Sequence, residues 1–108
     1  MNFRPLRVAQ LIREELGKII QRELEFPGAL VTITEIEVTK KLETAHVLVS
    51  VFPEKETEAA LRTLKTAKRE LQHQLNRKLN IKPMPHIEFR ADYGPENAAR
   101  VEKTLLEQ

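Results

Sequence analysis

Residues 57–81 (TEAALRTLKTAKRELQHQLNRKLNI) contain neither proline nor glycine, and their apolar positions are Ala60, Leu64, Ala67, Leu71, Leu75 and Leu79. Spacings of four, three, four, four and four mark one face of an α-helix. Arg62, Lys65, Arg69, His73 and Arg77 project from the side away from that stripe. Between residues 61 and 82 stand seven cations (Arg62, Lys65, Lys68, Arg69, Arg77, Lys78 and Lys82) against one acid, Glu70, a net of +6. The whole chain is only +2, so the remainder is −4. Positive charge segregated on one element points to a polyanionic partner.

A straight helix over 57–81 would be about 37 Å long. A domain of 108 residues has a radius of gyration of roughly 13 Å, so that rod would run its full width. Lys68 and Lys78 also project within about 40° of the leucine stripe, where a straight helix lying on a core would bury them. Two arrangements resolve the conflict. A bend or break near residues 67–70 would shorten the element and swing Lys68 into solvent. Alternatively the lysine stem packs while its ammonium reaches water.

Size and composition narrow the classes. With 108 residues there is room for one domain and one core. The chain has no cysteine, which excludes disulfides, thiolate zinc sites and cysteine nucleophiles. No apolar run approaches the ~20 residues of a membrane span, and no apolar leader precedes a cleavage site, so a cytoplasmic location is expected. One Tyr and no Trp leave almost no stacking platform for single-stranded bases.

In chain order, a first helix is expected over residues 5–24, with Val8, Leu11, Ile12, Leu16, Ile19 and Ile20 as its stripe and Pro5 in its first turn. Its charges nearly cancel and read as a solvated face; Arg4 and Arg7, ahead of the first acid, are the exceptions and join the candidate anion-binding set. Phe26-Pro27-Gly28 turns the chain. Residues 30–39 form a β-branched strand whose alternation changes phase: Val31 and Ile33 share one face, Ile36 and Val38 the other. One extra residue near Thr34–Glu35, a β-bulge, would return all four to one buried face. Residues 40–44 read as a polar hairpin connection, and 45–52 as a second strand, apolar on both faces and therefore central. After the long helix, Pro83-Met84-Pro85 enforces an extended link, and residues 86–91 alternate as a third strand. Pro95 opens a final helix with Ala98, Val101 and Leu105 inward. A strand–helix–strand connection makes strands two and three parallel, with helices over one face of an α+β two-layer domain.

Catalytic machinery is hard to assemble from these residues. His46, His73 and His86 lie on separate elements without metal-ligand spacing. The three glycines (Gly17, Gly28 and Gly94) form no phosphate-cradling loop, and Ser50, the sole serine, has no nucleophile-elbow context. A non-enzymatic protein without cofactor or metal follows. A protein–protein module using the same basic helix on an acidic partner is the rival class.

The segments RPLRVAQLIREELGKIIQREL, LVTITEIEVTKKLETAHVLVSV and LNIKPMPHIEFRAD, followed by ARVEKTLLE, together resemble the bacterial ribosome-binding factor A family. The likeness is collinear from about residue 4 to 106, and its specificity comes from the order of segments rather than from one motif. The resemblance implies a single type II KH-like RNA-binding domain over residues 1–108. Its order would be α-β-β-α(kink)α-β-α, with the second strand central in a three-stranded mixed sheet. It also implies a cytoplasmic, monomeric factor that binds the free, immature 30S subunit through 16S rRNA. Such a factor assists late maturation and rRNA processing, including in the cold. The family's Ala-x-Gly kink meets Ala67-Lys68-Arg69 here, with arginine where glycine would ease a bend. Contact with phosphate is then expected through Lys68 and Arg69 rather than through bare amides.

Overall fold

The apolar periodicities ahead of Pro95 become elements in the computed structural model, which describes residues 4–94. The order is α1 (Arg4–Glu23), β1 (Leu30–Val38), β2 (Thr44–Phe52), a 3₁₀ turn (Glu54–Glu56), α2 (Thr57–Lys78) and β3 (His86–Ala91). The final helix expected after Pro95 lies outside the described residues. The sheet order is β1-β2-β3, with β2 central, antiparallel to β1 and parallel to β3. This matches the reading of residues 45–52 as the middle strand.

The phase change in β1 has the foreseen cause. Ile33 pairs with Val49 and Glu35 with Leu48, which leaves Thr34 as an unpaired extra residue. Beyond this bulge Ile36 and Val38 oppose Val47 and Ala45, while ahead of it Val31 and Ile33 oppose Val51 and Val49. All four β1 side chains therefore face the helices; Ile36 is buried and the other three are half-buried against the core.

That core is the layer between sheet and helices. α1 contributes Val8, Ile12, Leu16, Ile19 and Ile20, and α2 contributes Ala60, Leu64, Leu71 and Leu75. The sheet supplies Ile36, Ala45, Val47, Val49, Ile87 and Phe89. The hairpin connection is less polar than its composition implied. Leu42 is buried although it sits at φ 58°. A left-handed leucine costs on the order of 1–2 kcal/mol, and burying its side chain offsets that. The Thr39 side-chain oxygen accepts the backbone N–H groups of Glu43 and Thr44, which fixes the turn.

The break expected in the long helix does not occur. α2 is one helix through Ala67, Lys68, Arg69 and Glu70, and it ends at Lys78, three residues short of the expected Ile81. The residues at the suspected break are all good helix formers, and the same face stays buried on both sides of them at Leu64 and Leu71. Twenty-two residues span about 33 Å, which fits within a molecule 37 Å long. β3, an edge strand, is held to α2 by one amide: Gln72 Nε2 donates to the Pro85 carbonyl at 3.1 Å, and its Oε1 accepts the Ile87 N–H at 2.8 Å.

Deleting Thr34 tests the bulge. It would slide residues 30–33 by one and turn Val31 and Ile33 to solvent. Urea unfolding should show a loss of about 2–4 kcal/mol, from the burial those two half-buried side chains give up. Thr34→Gly, which keeps the count, should cost much less.

Candidate nucleic-acid interface

Because Leu64, Leu71 and Leu75 point into the core, the opposite side of α2 must carry whatever else the sequence places there. Arg62, Lys65, Arg69 and Arg77 are all exposed on that side. From Arg62 to Arg77 they extend about 22 Å along the helix axis. Among the described residues none pairs with the charged groups of these four, nor with the ammonium groups of Lys78 and Lys82. His73, in the same stripe, is exposed as well.

Lys68 follows the second of the two expected arrangements, its ammonium partly exposed on an unbroken helix, but with a partner that the sequence did not name. Its Nζ lies 3.5 Å from both carboxylate oxygens of Glu88 on β3, with the side chains 40% and 49% exposed. Its charge is directed to the edge strand. The helix is continuous through this point, and the half-exposed ion pair is largely screened by solvent. Lys78 escapes burial differently: it is the last residue of α2 and exposed there, where a cation complements the helix dipole.

Arg4 joins the set through the fold. Its Nη2 donates to the Lys82 carbonyl at 2.8 Å, which places the start of α1 against the segment that follows α2. Arg7 is exposed one turn further along. Further down α1, Arg22 donates to Gln74 of α2 at 2.6 Å. The predicted residues thus divide. Arg62, Lys65, Arg69 and Arg77 make a stripe on α2; Lys82 and Arg4, with Arg7 one turn along, lie where the start of α1 meets the segment after α2, and Lys78 shares a cleft with Glu15, Lys18 and Arg22 of α1. Lys68 stands apart with Glu88. Acids are kept at the other end of the helix, where Glu54, Glu56 and Glu58 sit at its N-terminus.

Gln72 is a positioning residue that the sequence reading missed. It lies between the leucine stripe and the cationic stripe, and nothing in its local pattern marks it. The face of the sheet away from the helices is of opposite character, with Glu37, His46 and Glu88 adjacent across the three strands. His46 Nδ1 is buried without a hydrogen-bond partner. Burial lowers its pKa below the ordinary value of 6.5, and Arg90 lowers it further, against opposing pulls from Glu37 and Glu88. Among the described residues no group of three His, Cys, Asp or Glu is placed to hold a metal, and no helix is long and apolar enough to cross a membrane.

Fold and surface together define an α+β domain of KH-like topology that presents one basic helical face to solvent. The chain belongs to the ribosome-binding factor A family, whose model matches residues 4–105. It is 34% identical over 108 residues to ribosome-binding factor A of Opitutus terrae, covering 99% of this chain and 88% of that protein. The crystal structure of the Thermus thermophilus family member superposes with a TM-score of 0.70 at 27% identity, covering 81% of this chain and 94% of that one. The Thermus thermophilus factor as fitted into a cryo-EM map of a 30S complex gives a TM-score of 0.66 at 31% identity, covering 76% and 88%.

His46 makes stability depend on pH. Its folded pKa lies below its unfolded one, so between the two values the unfolded chain binds more protons. Stability should be full above about pH 6.5 and fall as the pH drops through that value. Urea midpoints at pH 7.5 and 5.5 should differ more for the parent than for His46→Asn; equal differences would remove His46 as the cause.

Proposed function

We propose that the protein is a non-enzymatic ribosome-binding factor that binds the immature 30S subunit through phosphates of 16S rRNA and assists its late maturation. The observation that carries this reading is the row of unpaired cations on α2 directly opposite its buried leucines. The family supports it, since a member has been fitted into a 30S complex. The Lys/Arg stripe, with Arg4, Arg7, Lys78 and Lys82 beside it, supplies charge for backbone contact; the chain has little with which to stack on bases. Because Glu88 holds Lys68, the unpaired Arg69 is the stronger of the two adjacent cations. The factor acts as a monomer in the cytoplasm and supports rRNA processing, including in the cold.

Co-sedimentation with separated subunits provides the test. The protein should travel with the small subunit, and log affinity should fall linearly with log salt. Five or six phosphate contacts give a slope of about −4 to −5. Arg69→Ala with Arg77→Ala should make it shallower by about one to two units. Lys41→Ala, a smaller loss of charge in the hairpin, should change it little. If the double variant bound as tightly as the parent at every salt concentration, the stripe would be mere solvated surface. Binding of an acidic protein partner would then be the reading to pursue.

A further inference from the structure

The outer edge of the sheet at β1 is open, and the register shows which backbone groups it presents. The Val49 carbonyl accepts the Asp92 N–H, so Val49 turns its backbone groups toward β3 and away from its β1 partner Ile33. In an antiparallel pair the residue opposite then faces outward in its turn. Ile33 therefore points its N–H and carbonyl off the edge, and Val31, two residues earlier, does the same. Among the described residues only one of these groups is engaged: the Ile33 carbonyl accepts a bond from Arg13 Nη2 of α1 at 3.3 Å. The Ile33 N–H and both groups of Val31 are left without a partner there.

Beside this edge, on the helix side, runs an open groove of about 490 Å³ lined by Gly17, Ile20, Leu24, Phe26, Val31 and Ile33. Gly17 stands in the interior of α1, where glycine is less favourable than any residue except proline. A Cβ added to it would meet nothing within 4 Å. Packing within the described chain thus gives no reason for a glycine, and the space it leaves belongs to the groove. On the other face of the same strand Glu35 and Glu37 are exposed, and neither makes a salt bridge among the described residues.

An extended segment laid along β1 would send alternate side chains to the two faces of the sheet. One set would enter an apolar groove, and the other would pass two carboxylates. We propose that residues 31–37 of the β1 edge are a docking site for an extended protein segment in which apolar and basic residues alternate. Its main chain adds a fourth strand at Val31 and Ile33, displacing the exposed Arg13 side chain from the Ile33 carbonyl. Its apolar side chains fill the groove over Gly17, and its cations lie beside Glu35 and Glu37. The Thr34 bulge interrupts the edge, so regular pairing is confined to the residues ahead of it. The site is built from α1 and β1, apart from the cationic stripe of α2.

The test uses the full isotope-labelled chain and two capped octapeptides of equal composition, one alternating valine and lysine, the other arranging them in blocks of two. The alternating peptide should bind roughly tenfold more tightly, since only it can pair and fill the groove at once. It should also shift the Val31 and Ile33 amide protons downfield. Val31→Pro removes an outward N–H while sparing the β1–β2 ladder, and Gly17→Leu fills the groove while favouring the helix. Each should weaken the alternating peptide about tenfold, with thermal unfolding confirming that both variants are folded. Glu35→Lys with Glu37→Lys should reverse the preference toward an alternating valine–glutamate peptide. Equal binding of the two lysine peptides, or undiminished binding by the Gly17→Leu variant, would overturn the proposal. So would a parent dimer that Val31→Pro converts to a monomer, since a second copy would then hold the edge.

Discussion

Burial of the leucine face of α2 is the constraint from which the rest of the structure follows. Leu64, Leu71 and Leu75 are almost wholly withdrawn from water, and burying each fully is worth roughly 1.5–3 kcal/mol. Once that face is fixed on the sheet and on α1, the rotation of the helix about its axis is fixed too. The cations have no freedom to choose where they point. A cationic surface is thereby oriented by hydrophobic packing, with no contribution needed from the charges themselves.

The sheet answers to the same constraint. Among the described residues only one of its faces meets helices, so each strand delivers most of its apolar residues to that side. β2 and β3 do so by plain alternation, whereas β1 needs Thr34 as a spacer between Ile33 and Glu35. The spacer then takes a second task, since its hydroxyl reaches Asp92 beyond the end of β3. The flank of α2 binds the other edge, through Gln72 to Pro85 and Ile87 and through Lys68 to Glu88.

Much of this was legible in the chain because it rests on period and phase. The helix stripe, the β1 phase change and the two-faced β2 each leave a mark in the order of apolar residues. What was not legible depends on partners distant in sequence. Lys68 looked misplaced because its relief comes from Glu88, twenty residues on, and a break was expected where none was needed. Leu42 looked like one apolar residue in a polar connection; only the three-dimensional course of the hairpin turns it inward. Gln72 has no local signature, since a glutamine on a helix flank is ordinary until a strand edge lies against it. The exposed cations of α2 were readable as a set. The meeting of Arg4 with Lys82 was not, because it depends on where the start of α1 lies against the segment after α2.

The separation of the two faces of α2 has a consequence for how such a protein changes over generations. Exposed, unpaired residues such as Arg62, Lys65, Arg69 and Arg77 contribute little to folding, and replacements at such surface positions usually shift stability by no more than about 0.5 kcal/mol. Selection can therefore raise or lower the charge of this surface, one residue at a time, without endangering the domain. Gln72 is excluded from that freedom. It lies on the same helix, yet its amide is committed to the backbone beside and within β3, so drift there would be felt by the fold.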